Sequence, residues 1–154
     1  MNVISIFIVL QIALLFFMTF HDWIYLPPLT NIREIEKHST RMGRLINSTI
    51  FFFLIFIPLA LTFYYQYNFP LWALIIIATM YGILSIGTIA SWWIPYFFGG
   101  YSKKYKENFV EYKKTHHFLS ARGDNIIPNT FHMILHIQIW SCFALAMYLL
   151  LKIS

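Results

Sequence analysis

Four apolar runs, at about residues 3–20, 45–64, 71–95 and 128–151, leave this chain of 154 residues few ways to fold. A helix needs roughly 17–25 residues to cross the hydrocarbon core of a bilayer, and each run meets that length. Inside hydrocarbon every backbone polar group must be satisfied within the protein, so runs of this kind form helices. Hydrophobic residues at 59% and charged residues at 11% exclude an ordinary soluble domain. The expected fold is all-α: a polytopic membrane protein whose single domain is a four-transmembrane-helix bundle, with an amphipathic interfacial helix over 101–117 between the third and fourth spans.

Local signals punctuate these runs. The first ends in His21-Asp22-Trp23, and Pro27-Pro28 stop it. It lacks the basic flank and small-residue cleavage site of a signal peptide, so it is expected to stay as a span. A short polar helix follows, with Thr30 as its expected cap and Arg33, Glu34, Glu36, Lys37 and His38 on turns facing water. Pro58 predicts a kink in the second span rather than a break. The connection 65–70 is short and uncharged, which predicts an antiparallel hairpin.

The third apolar run continues to Phe98, longer than one crossing needs, with a kink or a turn along the interface at Pro95. Ala78 with Gly82, and Gly87 with Ser91, form small-xxx-small pairs that let helix backbones approach closely. This span is the expected packing centre of the bundle, and Gly82 and Gly87 are the expected contact for a homo- or hetero-oligomer. Pro128 is tolerated in the first turn of the last span, with Asp124 and Asn125 as its expected caps.

The net charge of +5 is explained by its distribution. Arg33, Lys37, Arg41 and Arg44 lie in the first connection; Lys103, Lys104, Lys106, Lys113, Lys114 and Arg122 lie in the third. The second connection has no lysine or arginine. By the positive-inside rule the first and third connections are cytoplasmic and both termini lie outside, in what is expected to be a bacterial cytoplasmic membrane. Lys103, Lys104, Lys106, Lys113 and Lys114 are the expected contacts to anionic lipid headgroups, and no nucleic-acid motif is present. Cys142 is the only cysteine, so no disulfide forms within one chain.

This topology gathers scattered polar residues at one end. His21 and Asp22 close span one, Asn47 opens span two, Trp92 and Tyr96 close span three, and His132 and His136 open span four. At about 100° per residue, Asn125, Asn129, His132 and His136 share one side of the last helix. Polar groups at membrane depth usually turn into the bundle, because an unsatisfied one in hydrocarbon costs several kcal/mol.

The functional reading is a histidine-lined pocket at the cytoplasmic end that binds or acts on a lipid-phase or amphiphilic small molecule. His132, His136 and Asp22 are the candidate catalytic groups. His21, Asn47, Trp92, Tyr96, His117, Arg122, Asp124 and Asn129 are the candidate ligand-binding groups. A metal- or haem-dependent membrane enzyme is the alternative, with His132 and His136 four residues apart as ligands. It needs a third ligand from His21, Asp22, His116 or His117, or haem held between His21 and a histidine of span four. A non-enzymatic accessory or immunity-type membrane subunit is the other. Arg122-Gly123-Asp124 is read as a turn, and no nucleophile elbow or glycine-rich phosphate loop is present.

Overall fold

The computed structural model describes residues 2–107 and 109–153, apart from the side chains of Lys104 and Glu111. The helices are α1 (Val3–Phe20), α2 (Ile32–His38), α3 (Arg41–Tyr64), α4 (Leu71–Thr88), α5 (Ile94–Phe98), α6 (Lys103–Glu107) and α7 (Thr130–Ile153). A π-helical turn, Ile89–Trp93, joins α4 to α5, and a 3-10 turn covers Val110–Tyr112. No strand occurs among the described residues. Val3–Phe20, Arg41–Tyr64, Leu71–Phe98 and Thr130–Ile153 are long and apolar enough to cross a membrane, so the protein is a four-helix integral membrane protein.

Side chains fix where the spans begin. Asn2 Oδ1 accepts the Ser5 N–H at 2.8 Å and starts α1. Thr40 Oγ1 accepts the Gly43 N–H at 3.0 Å, so α3 begins four residues before its apolar run. Pro58 lies inside α3, which continues through it. One turn later Thr62 donates its hydroxyl to the Pro58 carbonyl at 2.8 Å and accepts from Gln11 Nε2 at 3.0 Å. Gln11 and Thr62 are both fully buried, so this bond ties α1 to α3 in the apolar middle of the bundle.

α4 lies at the centre of the packing. Its Leu74, Ile77 and Tyr81 are fully buried, and the same core takes Phe7 and Leu14 from α1, Ile55 from α3 and Ile139 from α7. Phe7 and Tyr81 bring their rings to 6.1 Å. Gly82 allows α4 to meet α7, since a Cβ there would stand 3.3 Å from Phe143 Cε2. Val9, Ile12, Phe53, Ile75 and Ile137 remain exposed on the outer faces, as a bundle solvated by lipid requires.

The π-helical turn accommodates Pro95. Proline cannot donate to the Ser91 carbonyl, and Tyr105 Oη–H reaches that carbonyl at 3.4 Å instead. The Ile94 N–H bonds the Ile89 carbonyl five residues back. The wider turn brings the adjacent residues Trp92 and Trp93 to α7 together.

Several sequence expectations take a different form. In place of one interfacial helix over 101–117, the helical pieces are α6 and the 3-10 turn, and the backbone from Lys113 to Asn129 is not helical. Side chains there compete for backbone partners: Thr115 donates to the Tyr112 carbonyl at 2.6 Å, and His117 Nε2 bonds the same carbonyl at 3.1 Å. Phe109 and Tyr112 also turn inward, onto Trp92 at 4.8 and 5.4 Å.

α7 starts at Thr130 rather than near Pro128, and Asn129 caps it by accepting the His132 N–H at 2.8 Å. Asp124 and Asn125 do not cap it; Asn125 Nδ2 donates to the Tyr96 carbonyl at 2.9 Å. Asn31, not Thr30, precedes α2, and Thr30 closes the preceding loop by donating to the Ile24 carbonyl and accepting the Leu26 N–H. Glu34, expected to face water, is buried.

Candidate functional site

Every residue in this region is set by where its helix ends. α1 finishes in His21 and Asp22, α3 begins below Asn47, the π-helical turn presents Trp92, and the first turns of α7 carry His132 and His136. A cavity of about 450 Å³ at the basic end of the bundle is lined by these six side chains. Tyr112 and Phe109 line it as well. Asn47, Ile83 and Gly87 are exposed, on α3 and α4, so the cavity reaches the outer surface of the bundle between those helices.

His132 is the centre of an aromatic enclosure. Its ring lies 4.2 Å from Trp92, 4.7 Å from Tyr112, 6.0 Å from His21 and 6.1 Å from His136. Its Nδ1 lies 2.8 Å from Asn129 Oδ1. The orientation of that carboxamide is determined by its other bonds. Asn129 Nδ2 faces Thr115 Oγ1 at 3.0 Å, and Thr115 has already given its proton to the Tyr112 carbonyl. Asn129 Oδ1 therefore accepts, His132 Nδ1 carries the hydrogen, and Nε2 keeps the lone pair of the neutral ring.

His136 has the opposite tautomer. Trp93 Nε1–H donates to His136 Nδ1 at 3.1 Å, and indole is a donor only. His136 Nδ1 is therefore the acceptor and Nε2 bears the hydrogen. Trp93 was not singled out in the sequence, because in an α-helix it would point about 100° away from Trp92; in the structure Trp92 meets His132 and Trp93 meets His136, so both reach α7.

His21 is held through Nδ1. Nδ1 meets the Met18 carbonyl at 3.0 Å and Nε2 meets Asp22 Oδ1 at 3.1 Å. The second contact is an ion-pair distance without hydrogen-bond geometry, and the buried Asp22 Oδ1 has no hydrogen-bond partner among the described residues. The Asp22 backbone carbonyl accepts from Arg44 at 3.4 Å, which holds the end of α1 against α3.

The metal alternative lacks a third converging ligand among the described residues. Nε2 of His136 carries a hydrogen while Trp93 occupies Nδ1, and Nδ1 of His21 meets the Met18 carbonyl. Among the described residues no three His, Cys, Asp or Glu side chains converge as a metal site.

The remaining sequence candidates lie elsewhere. Asn129 is buried behind His132 and fully engaged as cap and tether. Tyr96 donates its hydroxyl to the Ser120 carbonyl at 3.1 Å, and the Arg122 guanidinium lies over the Tyr96 and Phe97 rings at 5.5 and 5.2 Å. These contacts hold the connection to α7 in place. Gly123, at φ 54°, sits in a turn closed by the Asn125 N–H on the Arg122 carbonyl.

His117 and Asp124 line a second cavity of about 600 Å³ with Lys103, Lys106 and Lys113. Lys114 instead meets Glu34 at 2.8 Å, and the side chain of Lys104 lies outside the described residues. His116 is exposed, with Nδ1 on Thr130 Oγ1 at 2.8 Å. Compared with known proteins, the chain matches no family model, no curated protein and no solved structure.

Proposed function

We propose that this membrane protein uses the cavity between its helices to bind, or act on, a lipid-phase or amphiphilic small molecule. One observation carries the reading: His21, Asp22, Asn47, Trp92, His132 and His136, drawn from four separate spans, line a single cavity of about 450 Å³. Side chains that served only to join helices would be consumed by each other. Here the Nε2 atoms of His132 and His136 have no hydrogen-bond partner among the described residues, while their Nδ1 atoms are fixed from behind.

The basic residues of both flanking connections support an orientation with the cavity at the inner face of the membrane and both termini outside. Lys103, Lys106 and Lys113, around the neighbouring surface cavity, suit anionic headgroups there.

The test is the lipid content of the purified protein, read by organic extraction and mass spectrometry beside thermal unfolding in detergent. The wild-type chain is expected to retain an amphiphile that His132→Ala and His136→Ala each release while the bundle stays folded. The double variant should lose little more than either single one, because the two residues act as a unit. Additive loss of stability with unaltered lipid content would mean that the histidines only pack. Labelling a cysteine at position 67 from outside, in a chain lacking Cys142, would contradict the proposed orientation if it failed.

A further inference from the structure

We infer that the cavity selects an uncharged headgroup bearing a hydroxyl, on an apolar chain that enters sideways from the bilayer between α3 and α4. This rests on the amphiphile reading above and adds the chemistry of the headgroup. His132 offers a lone pair at Nε2, because Asn129 Oδ1 takes the hydrogen of Nδ1 at 2.8 Å. His136 offers a hydrogen at Nε2, because Trp93 donates to Nδ1 at 3.1 Å. The two rings stand 6.1 Å apart, within the span of one oxygen holding hydrogen bonds of about 2.8 Å to each.

A hydroxyl oxygen satisfies both rings at once, donating to His132 and accepting from His136. An ionised carboxylate or a phosphodiester has acceptors only and would leave the His132 lone pair facing another lone pair. An ammonium has donors only and would face the His136 N–H.

The path is apolar and open at its edge. Gly87 is exposed, and a Cβ there would meet no atom within 4 Å, so the α4 side of the mouth is open. Ile83 beside it is 62% exposed and Phe51 faces it from α3, surfaces that suit an alkyl chain and not a hydrated solute. Asn47, also exposed at this mouth, is a polar group on the way in, and the partly exposed Thr88 and Ser91 line the same cavity.

The experiment compares three brominated quenchers of tryptophan fluorescence in lipid nanodiscs: bromododecanol, bromododecanoate and bromododecane. Trp92, against the His132 ring, is the reporter, and Trp92→Phe should remove the saturable part of the signal. Bromododecanol is expected to quench saturably and about tenfold or more tightly than the other two, since an analogue that cannot pair leaves buried polar groups unmatched.

Trp93→Phe keeps the ring but frees His136 Nδ1. It should abolish that preference, and heteronuclear NMR of histidine-labelled protein should show His136 losing its single tautomer. Gly87→Leu should block the saturable component while leaving both tautomers intact. Equal binding of the carboxylate or the alkane would overturn the inference and leave the amphiphile pocket standing. Absence of saturable quenching by all three would overturn both.

Discussion

Asn129 serves the backbone and the site with one carboxamide. Its oxygen accepts from the His132 N–H and from His132 Nδ1, and its nitrogen donates to Thr115. Asn129→Ala should therefore lose a helix cap, a cost of about 1 kcal/mol, and release the His132 ring from its tautomer. Asn129→Ser separates the two roles. A serine hydroxyl can cap α7 but is too short to hold the imidazole, so stability should largely return while the His132 tautomers mix. Chemical denaturation in detergent and NMR of the imidazole nitrogens read these two effects. Recovery of both properties in Asn129→Ser would show that the tether is unimportant. Asn129 was visible in the sequence through the helix face it shares with His132, but its role was not. Capping signals near Asp124 and Asn125 are local rules, whereas the partner that fixes the Asn129 amide, Thr115, comes from a different segment.

At the scale of elements, the four spans follow from length and hydropathy alone, and their boundaries shift by a few residues where Thr40 and Asn129 supply caps. The connection 101–117 was harder to read. Its aromatic residues recur at helical spacing, yet Phe109 and Tyr112 pack on Trp92 and the backbone breaks around them. Periodicity reports which residues are apolar and cannot say whether lipid or protein covers them.

The small residues of α4 separate in the same way. Gly82 packs on Phe143 inside the bundle, and Gly87 borders open space. Gly82→Val should overpack the α4–α7 contact and cost about 1–3 kcal/mol. Gly87→Ala meets no neighbour and should be neutral or stabilising by up to about 1 kcal/mol, since alanine is the better helix former. Thermal unfolding of the two variants in one detergent checks the order; a Gly82→Val protein as stable as Gly87→Ala would remove the close contact as a determinant of packing.

Over the whole molecule, the two basic connections join each other instead of standing apart in solvent. Glu34 lies 2.8 Å from both Lys37 and Lys114, residues from opposite halves of the chain, and the His116 N–H donates to the Pro28 carbonyl at 2.8 Å. A count of lysines of the kind the positive-inside rule uses cannot distinguish those that meet lipid from one that meets a carboxylate. The two ammonium groups hold Glu34 down, from the ordinary 4.5 to about 2, with Lys114 the larger influence. A carboxylate depressed by folding contributes stability that is present above its ordinary value and is lost as pH falls toward the folded one. Docking of the third connection on the first should therefore weaken as pH falls from about 4.5 to about 2, while the spans, held by apolar packing, remain. Hydrogen exchange at the His116 amide, followed across that range, is the readout. Glu34→Gln should be loosely docked at every pH and lose the transition, and Lys114→Gln should move it upward because Lys37 alone then lowers the carboxyl. Since Tyr112 and Thr115 connect this docked segment to Asn129 and His132, loosening it should also disorder the His132 tautomer; protection at His116 that does not change with pH would show that the two connections are held together by something other than this carboxylate.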